Sequence, residues 1–162
     1  MMKEVTSELA TFGAGCFWGI EETYLRTKGV LSTAVGYMGG TMESPSSEDV
    51  YHGHTGHAEV VQVTYDPAVV TYEELLKIFW EHHNPTTRNR QGPDIGEQYR
   101  SAIFTHAPEQ KEIAEQSKRA LEEAKTFDRP IVTQIVPASD FWKAEDYHQQ
   151  YLRKRGLDSC HI

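Results

Sequence analysis

Ala58-Glu59-Val60-Val61-Gln62-Val63-Thr64-Tyr65 is the stretch on which the fold class turns. Glu59, Val61, Val63 and Tyr65 share one face of an extended chain, and Ala58, Val60, Gln62 and Thr64 share the other. This two-residue period predicts a strand. Downstream, Thr71 and Glu74 form a capping-box pattern ahead of Leu75, Ile78 and Phe79, which predicts a helix to about His83. Residues 84–98 carry two prolines, two glycines and no apolar period, and loops of that length in compact domains are often functional. Residues 99–105 read as a strand. Pro108 opens a helix whose Ile113, Ser117, Ala120, Leu121 and Ala124 share a face. Residues 131–136 read as a buried strand, and Ser139 or Asp140 caps a short helix to about Tyr151.

Upstream, residues 41–56 are rich in Gly, Ser, Pro and His and read as a long loop. Residues 30–37 form a second strand, ended by Gly39 and Gly40. From Cys16 onward Phe17, Ile20, Tyr24 and Leu25 recur at helical spacing, with Gly29 as the stop. Residues 5–12 fit a short strand. The expected architecture is α/β (α+β): a single-domain two-layer sandwich with a mixed, partly antiparallel sheet and a ferredoxin-like core. The domain spans 1–152, followed by a polar, mobile tail at 153–162 that carries Cys160.

At 162 residues the chain is long enough for one well-buried core. Its 24 acidic against 16 basic residues, a net charge of −8, argue against nucleic acid or an anionic membrane as partner. No run approaches the ~18 apolar residues of a membrane span. Lys3, Glu4 and Glu8 stand where a signal peptide needs an apolar run, so a cytoplasmic protein is expected, a monomer by default. Two cysteines, Cys16 and Cys160, exclude a dense disulfide framework.

Gly15-Cys16-Phe17-Trp18-Gly19 falls at a strand-to-helix junction. Unpaired N–H groups and the positive end of the helix dipole favour an anion there, so the thiol can ionise more readily and the thiolate is the reactive form. Two aromatics beside the sulfur are odd for a solvent-facing turn. A buried structural cysteine with core aromatics is the alternative from the residues alone.

The motif resembles the active-site signature of the A-type peptide methionine sulfoxide reductases, which act on the S epimer. The likeness continues through Gly36-Tyr37-Met38-Gly39-Gly40, residues 55–63, Tyr65-Asp66-Pro67, residues 89–101 and Ala144-Glu145-Asp146-Tyr147-His148-Gln149-Gln150-Tyr151. These blocks run in family order over nearly the whole chain. The resemblance implies that Cys16 is the nucleophile and that Phe17 and Trp18 wall in the substrate methyl group. Tyr37, Tyr99, Glu59 and Asp94 then surround the sulfoxide oxygen. It further implies a Cys16 sulfenic acid, a Cys16–Cys160 disulfide with Cys160 as resolving thiol, and thioredoxin as its reductant. The substrate is methionine sulfoxide, free or in oxidised proteins, with no cofactor and no metal. Departures from the family pattern are Asn84, where Asp is common, and the histidine-rich stretch Tyr51-His52-Gly53-His54.

The chemistry is coherent by itself. Displacing oxygen from a sulfoxide needs that oxygen protonated, hence a thiolate beside an acid still protonated at neutral pH. If the face of Glu59 is buried, desolvation supplies such an acid. Otherwise Glu59 is a paired or edge-facing carboxylate, the tyrosines are core residues, Asp94 is a turn-former and Cys160 a bystander. Three rival classes follow from the same residues. His52, His54 and His57 could bind a metal, Cys16 with a histidine could form a hydrolase, and the aromatics could form a binding pocket without catalysis.

Overall fold

The computed structural model describes residues 6–156. Strand β1 (Glu8–Ala14) leads through Gly15 into helix α1 (Phe17–Leu25), which returns the chain to β2 (Val30–Met38). A short helix α2 (Ser47–His52) precedes β3 (Ala58–Tyr65), and α3 (Tyr72–Glu81) follows. The next stretch holds a two-residue hairpin, β4 (Arg90–Gln91) and β5 (Asp94–Ile95), then one 3-10 turn at Glu97–Tyr99 and β6 (Ser101–Thr105). Helix α4 (Pro108–Glu123), β7 (Gln134–Pro137), β8 (Trp142–Lys143), a 3-10 turn at Asp146–His148 and α5 (Tyr151–Lys154) complete it. Among the described residues no helix is long and apolar enough to cross a membrane.

The main sheet runs β7-β6-β1-β3-β2-β8. β1 pairs antiparallel with both β3 and β6, and β2 antiparallel with β3. The four central strands therefore lie β6-β1-β3-β2, with α1 and α3 as crossovers. This is the expected ferredoxin-like core. β7 adds parallel to β6 and β8 antiparallel to β2, which makes the sheet mixed.

The expected alternation of β3 sorts the core. Val61, Val63 and Tyr65 pack under the helices with Phe12, Tyr24, Leu75 and Phe79. Phe12 stacks between Tyr24 and Phe79, at 5.5 and 5.3 Å between centroids. Burial of each such side chain is worth roughly 1.5–3 kcal/mol. Ala58 and Val60 face the other way, with Met38, Ala102 and Phe104 beneath Val136, Ala138 and Phe141.

Several boundaries differ from expectation. β1 begins at Glu8 and runs on through Gly13 and Ala14, because these pair with Ala102 and Ser101 of β6. The stretch 41–56 is not wholly loop: Ser46 and Asp49 cap α2 reciprocally, each side chain taking the other's backbone N–H. The helix expected from Ser139 or Asp140 is absent. Trp142 pairs with Tyr37 instead, and Phe141 lies over Gly36, where a Cβ would stand 2.3 Å from the Trp142 carbonyl oxygen. Strand pairing overrides the local cap signal. The strand expected at 131–136 lies at Gln134–Pro137. On α4, Ala120 and Ala124 are exposed while Gln110 and Ala114 turn inward.

The expected boundary between domain and tail falls inside α5. Glu21, buried on α1, accepts hydrogen bonds from Thr33 Oγ1 at 2.8 Å and from the Gln150 backbone N–H at 2.6 Å. Arg153 reaches Glu22 at 3.2 Å. Gln149 spans the β2 edge, its amide bonding both N–H and C=O of Val35 at 2.9 Å. Cys160 lies outside the described residues.

Candidate active site

The sheet and α1 meet at Cys16. Gly15 adopts φ +88°, which lets the chain leave β1 and start a helix within one residue. Cys16 is the N-cap of α1, half-buried, at the end where helical N–H groups lack helical partners. The first of these, on Phe17, points to Glu59 Oε1 at a long 3.4 Å. Glu59 lies opposite Tyr37 in the β2–β3 register, so one pair of neighbouring strands presents an acid and a phenol together. Asp94 comes from β5 and Tyr99 from the 3-10 turn after it. The loop predicted at 84–98 thus carries Asp94 and ends beside Tyr99.

Cys16, Phe17, Trp18, Tyr37, Glu59, Asp94 and Tyr99 all line one cavity of about 440 Å³. Its electrostatics follow from burial. Desolvation lifts the Glu59 carboxyl to about 8, the Phe17 N–H pulls it down and the Asp94 charge pushes it up. Glu59 is therefore mostly a neutral acid at pH 7. Burial and then the Glu59 charge raise the Tyr37 hydroxyl well above the ordinary phenol range. Burial raises Tyr99 to about 12, with the Glu59, Asp94 and Cys16 charges acting in the same direction. Both phenols remain protonated donors at any physiological pH. The cavity is thus lined by one protonated carboxyl and two protonated phenols.

The aromatic wall is braced from the C-terminal end. Trp18 donates its indole N–H to His148 Nδ1 at 3.0 Å and stacks on Tyr151 at 3.7 Å, nearly parallel. Phe17 packs against Tyr37, with 5.8 Å between centroids. His148, Tyr147, Ser47, Glu48 and Tyr51 also line the cavity, and sequence reasoning gave none of them a role. The Ser46–Asp49 cap signal could have placed Ser47, Glu48 and Tyr51 on a helix. His148 and Tyr147 lie in a block that carried the family likeness.

The rival readings meet specific geometry. His57 is buried: its Nδ1 accepts from the Gly40 N–H at 2.9 Å, so its Nε2 donates to the Met42 carbonyl at 2.7 Å. It ties two loops together, separating it from exposed His52 and His54. No group of three or more His, Cys, Asp or Glu among the described residues is placed to hold a metal ion. His148 is the histidine that shares the cavity with Cys16. Its Nδ1 is occupied by Trp18, and burial lowers its pKa. The cavity instead puts a protonated carboxyl beside the cysteine.

An acid proton held next to a thiol at a helix N-terminus suits oxygen removal by a thiol, and the class is a cysteine-dependent oxidoreductase. A model of the peptide methionine sulfoxide reductase family matches residues 8–162, and the chain belongs to that family. The peptide methionine sulfoxide reductase MsrA of Methanoculleus marisnigri is 60% identical over 160 residues, covering 99% of this chain and 98% of its own. The reduced form of Mxr1 from Saccharomyces cerevisiae superposes with a TM-score of 0.88 at 37% identity, covering 96% of this chain and 90% of that one. The same yeast protein in complex with Trx2 matches with a TM-score of 0.64 at 27% identity, over 93% of this chain and 88% of its own.

Proposed function

We propose that this chain reduces the S epimer of methionine sulfoxide, with Cys16 as nucleophile and Glu59 as proton donor. The observation that carries the assignment is the placement of Glu59. Its raised carboxyl shares the first turn of α1 with the sulfur through the Phe17 N–H. The Cys16 thiolate attacks the sulfoxide sulfur while Glu59 protonates the oxygen and Tyr37 and Tyr99 donate to it. The attack forms a transient S–S bond. The protonated oxygen then passes from the substrate sulfur to the Cys16 sulfur, and the S–O bond to the substrate and the S–S bond both break. The thioether leaves with the S–S electron pair, so that Cys16 is oxidised to a sulfenic acid as the sulfoxide is reduced. Phe17 and Trp18 hold the methyl group, and Asp94 completes the polar set around the sulfoxide oxygen.

Cys160 then condenses with the sulfenic acid, releasing water and leaving a Cys16–Cys160 disulfide. Thioredoxin reduces the disulfide, a role supported by the yeast relative's complex with Trx2. A cytoplasmic setting, where thioredoxin keeps thiols reduced, fits a chain with two cysteines.

The test is anaerobic turnover of each sulfoxide epimer with a small dithiol, for wild type and Cys16→Ser. Consumption of the S epimer alone, lost in the variant, is expected; consumption by Cys16→Ser would remove the thiol from the mechanism. Thiols counted after one equivalent of substrate without reductant should fall by two in wild type. Loss of only one thiol in wild type, the same loss that Cys160→Ser can show with its single cysteine, would release Cys160 from its role.

A further inference from the structure

A second hollow, of about 550 Å³, adjoins the cavity that holds Cys16, and Tyr51 lines both. The same two walls bound them. Helix α2 gives Ser47, Glu48 and Tyr51 to the first, and Tyr51 and His52 to the second. The segment 94–99 gives Asp94 and Tyr99 to the first, and residues 95–98 to the second. Asp94 and Ile95 are successive residues of a strand, so one side chain serves the site while the next faces away from it. The two hollows form one trough.

The second part is built unlike the first. Gly53, Gly56 and Gly96 line it, all with positive φ. Gly96 is covered by the Gln98 side chain and Gly56 donates its N–H to Glu97, whereas at Gly53 the main chain lies bare for close approach by another backbone. A Cβ at Gly53 would meet nothing within 4 Å. Two large apolar side chains stand in solvent at its sides, Tyr51 at 72% and Ile95 at 68% exposure. Free methionine sulfoxide ends at its own amino and carboxyl groups, whereas a polypeptide carries its chain onward. The site cavity has room for the oxidised side chain, and the trough leads on from there.

We infer that this second hollow binds the polypeptide flanking the oxidised methionine, and takes a neighbouring apolar side chain between Tyr51 and Ile95. The inference rests on sulfoxide reduction at Cys16. It makes His52, Gly53, His54, Gly56 and residues 95–98 a specificity surface, joined to the site by Tyr51, that favours peptide over free amino acid. Apolar flanking residues are the buried ones of a folded target, so the trough selects segments exposed by unfolding.

Wild type, Ile95→Asp and Ile95→Lys are compared with a small dithiol as reductant. One substrate is Nα-acetyl-methionine sulfoxide amide and the other a peptide with leucines on both sides of the sulfoxide. Ile95 is mostly exposed, so both variants should fold. Wild type is expected to favour the leucine-flanked peptide in kcat/KM, and both variants to lose that advantage, on the order of tenfold, while reducing the capped amino acid like wild type. A wild type with no preference, or variants that lose equally on both substrates, would overturn the inference. The same comparison is repeated with thioredoxin as reductant. Variants that match wild type with the dithiol on both substrates and differ only in the KM for thioredoxin would assign the trough to the reductant and overturn it too. A wild type inert on the capped amino acid would instead bring down the reaction at Cys16, and this surface with it.

Discussion

Glu59 sits across from Tyr37 and beside the first N–H of α1, on the apolar face of its own strand. The core that surrounds it holds its proton to about pH 8. Removing an acid of this kind costs roughly two to four orders of magnitude in rate. Glu59→Gln should therefore slow single-turnover sulfoxide reduction by that factor, with an unchanged circular dichroism spectrum. An unaltered rate would exclude Glu59 from the chemistry. The pH dependence has a fixed sign: the acid form is the active one, so the rate falls as pH rises through about 8. Stopped-flow rates between pH 6 and 9.5 should show this falling limb in wild type and lack it in Glu59→Gln. A limb that persists in the variant belongs to another group.

Among the elements, the turn from β1 to α1 has the least slack. A Cβ on Gly15 would stand 2.7 Å from Gln91 Cγ, and φ is positive there. Gln91 in turn bonds the Asn84 N–H at 2.9 Å and the Asn84 carbonyl at 2.6 Å, closing the base of the loop that carries Asp94. Gly15→Ala should cost about 1–3 kcal/mol in urea denaturation from the backbone alone, plus whatever Gln91 must give. It should lower kcat more than it raises KM. Gly92→Ala is the control, with positive φ but nothing within 4 Å of its Cβ, and should cost less. Equal losses would mean that Gln91 exerts no pressure on Cys16. The junction was legible in the sequence because Gly15 and the aromatics mark it locally; β3 was legible because burial on both faces still leaves a period of two. The β8 segment was not, since Trp142 becomes a strand only by meeting Tyr37, more than a hundred positions away. The same holds for the cavity. Cys16, Glu59, Tyr37, Asp94 and Tyr99 were named through motif blocks, while His148 and Tyr151 act through contacts with Trp18 that no spacing encodes.

Across the whole molecule, two buried groups pull folding stability in opposite directions with pH. Glu59 keeps its proton to about 8 in the fold, against an ordinary value of 4.5. Between those values the unfolded chain has lost a proton that the folded chain retains, so folding weakens as pH rises from about 4.5 to about 8. His83 is the mirror case. Burial holds its imidazole at about 4, against an ordinary 6.5, and the Phe79 carbonyl only partly offsets this. Its Nδ1–H donates to that carbonyl at 2.6 Å, which leaves Nε2 to accept from Ser101 Oγ at 2.7 Å; Ser101 is in turn 2.7 Å from Thr133 Oγ1. Protonating Nε2 would reverse that hydroxyl pair. The unfolded chain accepts a proton that the fold refuses, so stability falls as pH drops from about 6.5 to about 4. The two slopes can be separated by difference. Urea midpoints from pH 4 to 9 should show Glu59→Gln gaining on wild type as pH rises, with most of the gain reached by about 8, and the two converging near 4.5. His83→Gln should gain on wild type in the acid limb and run parallel to it above about 6.5. Parallel curves throughout would show that neither group is held away from its unfolded protonation. The stability lost on the alkaline side is then the cost of keeping an acid beside Cys16, and removing that acid should yield a protein tougher at pH 8 and slow at its reaction.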